Sequence, residues 1–96
     1  MIGMEVRGDT LEVVARATTR VEWADAFAEL DTARFPMLAA LTPYGDAVFN
    51  GRQVPLLTAE LDRMPAAWGG DWVEQARAMC RIVEAGSHLY LWFVGD

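Results

Sequence analysis

The chain has no lysine, one histidine, one cysteine and one serine, and these shortages exclude a good deal of chemistry. A single cysteine rules out an internal disulfide. One histidine and one cysteine leave carboxylates to complete any zinc site, and no ordinary metal-ligand spacing is present. Ser87 and His88 are neighbours at the start of a strand, so their side chains point to opposite faces and cannot form a direct nucleophile–base pair. Gly69-Gly70 precedes a helix but lacks the lysine and hydroxyl residue of a phosphate-gripping loop. No basic stretch followed by an apolar one opens the sequence, and no apolar run reaches membrane-spanning length. The expectation is a cytoplasmic protein with no membrane contact and no cofactor.

What is present suits one packed domain over residues 1–96. Hydrophobic residues make up 53%, with four Trp and four Phe, which supplies a core and excludes disorder. The eight basic residues are all Arg and lie scattered, mostly beside acids, within a net charge of −6. That field repels phosphate backbones, so nucleic acid is not an expected partner, whereas a basic protein is. Arginine without lysine, alongside abundant Ala and Gly, reads as GC-rich coding rather than as a site.

The segment His88-Leu89-Tyr90-Leu91-Trp92-Phe93-Val94 carries no acid, Lys or Arg and is rich in aromatic and branched residues, as buried strands are. A continuous apolar run predicts that both its faces are covered, by helices or by another chain. Ile2–Arg7 and Thr10–Ala17 alternate as a hairpin about Gly8-Asp9, although Asp9-Thr10-Leu11-Glu12 also spells a helix capping box. A second box at Thr19-Arg20-Val21-Glu22 opens a predicted helix to Asp31, with Trp23, Phe27 and Leu30 as its stripe and Glu22, Asp25 and Glu29 as a solvated face. Phe35–Leu41 and Ala47–Phe49 are predicted strands either side of the Thr42–Asp46 turn. A helix follows with Val54, Leu57, Leu61 and Met64 as its stripe, and Pro65 ends it. Asp71 and Glu74 form a box for the last helix, which buries Val73, Ala76, Cys80 and Val83 and stops at Gly86 in a left-handed turn. Cys80 on that stripe is a core thiol. The fold class is therefore α+β, order ββαββααβ, a mixed or antiparallel sheet with about three helices packed on it.

Two groups of residues are candidates for binding. Tyr44, Asp46, Asn50, Arg52 and Gln53 crowd two turns, where a rigid sheet would present them to a small ligand or cation, although Asp and Asn also favour turns for their own sake. Asp46 together with Asp96 would suit a hard cation if the strand ends converge. Trp68 and Trp72 flank Gly69-Gly70 and either line a partner-binding patch or close the edge of the core.

Thr42-Pro43-Tyr44-Gly45-Asp46 with Val48-Phe49-Asn50, and again Leu89-Tyr90-Leu91-Trp92-Phe93-Val94-Gly95-Asp96, resemble segments of small actinobacterial proteins. The resemblance covers roughly the last two-thirds of the chain. It implies a bacterial cytoplasmic protein and carries no activity or site residue with it. Negative charge, surplus Trp and Arg and the lack of assembled catalytic groups lead to one expectation. It is a non-enzymatic interaction domain, of the immunity-protein or small regulatory kind, binding a basic protein through an acidic and aromatic surface. A homodimer joined through the C-terminal strand or the Trp68/Trp72 loop is the other partner expectation.

Overall fold

The computed structural model describes residues 1–22 and 29–95. Alternating residues of β1 (Ile2–Gly8) are buried, which is what the period of two in Ile2, Met4 and Val6 dictates. This strand pairs antiparallel with β2 (Val13–Arg16) on one side and along its whole length with β4 (Leu89–Gly95) on the other. A short β3 (Asp46–Phe49) completes a four-stranded antiparallel sheet of order β2-β1-β4-β3.

The first hairpin forms, with a longer turn than Gly8-Asp9 alone. Gly8 accepts the Leu11 N–H and donates its own N–H to Glu12, each at 3.0 Å, so the loop is Asp9-Thr10-Leu11 with Leu11 in the left-handed region at φ 68°. This is the three-residue hairpin loop with a left-handed third residue, a place normally given to Gly. The rival helix does not form. Its acid is used in the turn instead, because the Glu12 carboxylate accepts the Thr10 N–H and hydroxyl. Between Val6 and Arg7 the register slips by one residue, leaving Val14 as the extra residue of a bulge.

The expected strand at 35–41 is a correction. Phe35, Leu38 and Leu41 are buried, a spacing of three rather than two, and Leu38–Ala40 is a short 3-10 turn. Pro36 offers no N–H to a ladder, and the next two N–H groups, of Met37 and Leu38, are taken by the carboxylate of Glu60 at 3.0–3.1 Å. Glu60 is only 1% exposed, so its charge is compensated by backbone dipoles in the core. The helix expected to open at the Thr19–Glu22 box does not begin there, because Val21 exchanges backbone hydrogen bonds with Ile2 at 2.8 and 3.0 Å as an antiparallel bridge. The middle of the expected span, 23–28 with Trp23, lies outside the described residues.

Both later helices lie where periodicity puts them. In α1 (Val54–Arg63), Val54, Leu57, Glu60 and Leu61 are buried. In α2 (Asp71–Ala85) the buried stripe is Trp72, Ala76, Met79, Cys80 and Val83, so Val73 sits at its margin. Burial pushes the Cys80 thiol above its usual value against an opposing hydrogen bond involving Thr58. Two details of capping differ from expectation. Asp71 is the first helical residue behind Gly70 and makes no side-chain cap, and Gly86 is extended at φ −103° while His88 takes the left-handed turn at φ 56°.

The helices pack on one face of the sheet, where α2 crosses β1 and β4. Ile2, Met4, Val6, Leu91, Phe93 and Phe49 point into this core, the two Phe rings meeting edge to face with centroids 5.7 Å apart. Antiparallel alternation sends Glu5, Arg7, Arg16, Tyr90, Trp92 and Val48 the other way, and no helix among the described residues covers them. Cover of both faces of β4, expected from helices or from another chain, is supplied on one face only by the helices among the described residues, and an antiparallel sheet tolerates one wet face.

Candidate functional site on the open face of the sheet

Arg16, Glu5, Trp92 and Val48 form one cross-strand row spanning all four strands. Glu5 stands between two cations, 2.8 Å from Arg7 and 3.1 Å from Arg16. Burial pushes its carboxyl up, but hydrogen bonds and charge from Arg7 and then Arg16 outweigh this and hold it below the usual carboxylate value. The Arg7 guanidinium in turn lies 4.3 Å from the centroid of the Trp92 ring. These long side chains cover the strand in place of a helix, and the cover is partial. Leu11, Val13 and Val48 remain 58%, 44% and 41% exposed on this face or its hairpin.

At the hairpin end the face is concave. Gly8, Asp9, Leu11, Val48, Tyr90 and Trp92 line a dimple of about 240 Å³. Asp9 sits at its rim, where it accepts the Tyr90 hydroxyl at 3.0 Å and lies 3.5 Å from His88 Nδ1. The hydrogen bond to Asp9 raises the Tyr90 phenol above its ordinary value and keeps it protonated. Beside it, the Thr10 hydroxyl holds the Glu12 carboxyl below the usual range. The hairpin tip is therefore a fixed patch of negative charge next to two aromatic rings.

The polar loop takes a different form. Asn50 accepts the N–H groups of Arg52 and Gln53 through its side chain, and Gln53 accepts the Asn50 N–H, a reciprocal cap at the entry to α1. Tyr44 is 92% exposed, and Asp46 and Arg52 also face solvent. None of these five residues lines the dimple or the larger cleft described next. Asp96 lies outside the described residues. The loop is fastened to β4 instead: a Cβ at Gly95 would fall 2.5 Å from the carbonyl of Gly45 and 2.7 Å from that of Thr42, so only glycine permits the contact.

Trp68 and Trp72 do come together, on a cleft of about 650 Å³ whose opposite wall includes Thr18, Thr19 and Arg20. Trp72 is buried, and Trp68 packs edge-on against Phe35 at 6.0 Å. The walls mix Arg20 with Glu22 and Asp71, so no single charge is selected. Among the described residues no three His, Cys, Asp or Glu are grouped to hold a metal ion, and no helix is long and apolar enough to cross a membrane.

Glu5, Arg7, Asp9, Leu11 and Val48 are not among the binding candidates expected from sequence, and Tyr90 and Trp92 are expected there to be interior. The signal was the alternation within β4 itself, where the aliphatic Leu89 and Leu91 with Phe93 hold one parity and Tyr90 and Trp92, the amphipathic aromatics, the other. No family model matches the chain, and no curated protein or solved structure is significantly similar to it.

Proposed function

We propose that the chain is a non-enzymatic interaction domain of the bacterial cytoplasm, of the immunity or small regulatory kind, that docks a basic protein on the open face of its sheet. The observation that carries this reading is the row of half-buried Trp92 and exposed Val48 on the open face, flanked by Tyr90, Leu11 and Val13 and rimmed by charge. Aromatic centres with polar rims are the anatomy of protein interfaces, and Trp, Tyr and Arg dominate their binding energy. The net charge of −6 favours a basic partner over a second copy, which would bring like charges together.

Photo-crosslinking from a residue placed at Val48 tests the reading against the same probe at exposed Ala59 on α1. In extracts of the native cell, Val48 is expected to trap one basic protein, and raising the salt to several times physiological is expected to abolish capture. Equal capture from both positions, or none from Val48, would sink the proposal.

A further inference from the structure

We infer that the dimple beside Asp9 is a receptor for a single arginine side chain of the partner. This rests on the proposed docking face and names what recognises the partner there. The volume of about 240 Å³ falls below the roughly 300–1,000 Å³ of small-molecule sites, which suits one long side chain better than a cofactor or a folded segment. Its lining has the two parts that such a side chain needs. Leu11, Val48 and the rings of Tyr90 and Trp92 suit an aliphatic stem, and the Asp9 carboxylate at the rim suits a planar cation.

The chain already demonstrates the contact with a residue of its own. Arg7 lies against Trp92 at 4.3 Å while its charge is met by Glu5 at 2.8 Å, a guanidinium held between an indole and a carboxylate. Because Arg7 is neutralised in this way, the charge that remains at the hairpin is acidic, from Glu12 and from Asp9, whose Oδ2 lies 3.5 Å from His88 Nδ1. Asp9 keeps acceptor capacity with the Tyr90 hydroxyl on Oδ1 and His88 Nδ1 3.5 Å from Oδ2, since a carboxylate offers about four lone-pair sites. Arginine also suits the site better than lysine, because its flat group both stacks and binds two carboxylate oxygens.

The test is a titration of the ¹⁵N-labelled protein with N-acetyl-arginine amide and, separately, with the neutral isostere N-acetyl-citrulline amide. Arginine amide is expected to shift the Trp92 indole and the Tyr90, Leu11 and Val48 amides at millimolar concentrations, as one desolvated contact would. Citrulline amide is expected to bind at least tenfold more weakly, and Asp9→Asn to remove that preference while its dispersed spectrum shows an intact fold. Equal response to both probes, no response at tens of millimolar, or an arginine preference surviving in Asp9→Asn would overturn the inference. Specific crosslinking from Val48 alongside any of those results leaves the docking face standing and removes only its arginine receptor. Arginine binding without a crosslink does the reverse.

Discussion

Phe93 and Trp92 are neighbours in β4, yet Phe93 is 1% exposed beneath the helices while Trp92 shares its face with a salt-bridged arginine. The inner face is uniform: every inward position of the sheet is apolar, and its energy comes from burial at about 25 cal/mol per Å². The outer face is composite, with aromatics, aliphatics and an Arg7–Glu5–Arg16 ion triad in one register. Stability is concentrated on the first face and the proposed recognition on the second, and the two are separable because strand residues alternate.

The sharpest way to break that division is to truncate the two neighbours in turn. Phe93→Ala opens a cavity in the core and is expected to cost about 3–5 kcal/mol, enough to unfold much of a domain of this size. Trp92→Ala is expected to cost about 1–2 kcal/mol, because the ring is only half-buried, while weakening partner capture at least tenfold. Chemical denaturation and crosslinking yield from Val48 measure the two quantities independently. Equal stability losses would mean that the outer face is a second core and that the division is wrong.

The same pair shows what could be read in the sequence. Residues 88–94 announce a strand, and both helices follow from their stripes, because burial imposes a period that composition records. Whether an apolar run is covered on one side or both is a tertiary fact. Tyr90 and Trp92 are apolar enough to resemble core and polar enough to stay wet. Phe35–Leu41 misled for a related reason, since a spacing of three becomes visible only once Pro36 and Glu60 are seen to claim the backbone. Glu60 itself was legible as a charge on an apolar stripe, three residues after Leu57. In the loop, Asn50 and Gln53 carry the marks of a helix cap as clearly as those of a ligand site, and the helix uses them.

Leu11 sharpens the comparison from the other direction. It is a leucine at φ 68° with 58% of its surface exposed, so little packing offsets the left-handed backbone. Asn tolerates that region without the entropy cost of glycine, and Leu11→Asn is expected to stabilise the fold by about 1 kcal/mol. The same change removes one wall of the dimple and is expected to reduce arginine-amide binding severalfold. A substitution that raises the melting temperature while lowering affinity marks a residue retained for contact. If both rise, Leu11 is not a wall of the site.

The smallest effect concerns the ion triad and is read through pH. Inward positions of the sheet carry no titratable group, so acid sensitivity arising from the sheet belongs to its outer face. Glu5 is held below its ordinary value of 4.5 in the folded protein, against the push of burial, by Arg7 and Arg16. A depressed carboxyl contributes stability that is fully present above the unfolded value and is lost as pH falls through the folded one. Glu5→Gln is therefore expected to lower stability at neutral pH by less than about 1 kcal/mol, as partly exposed ion pairs do. The difference between the two proteins should close below pH 4.5, as protonation removes from the native chain what the substitution removed already. Added salt is expected to narrow the same difference at neutral pH, because Arg16 is 67% exposed and its share of the triad is screened. A gap that persists unchanged at both low pH and high salt would show that Glu5 acts by packing against the strand, and the outer face would then differ from the core in composition alone.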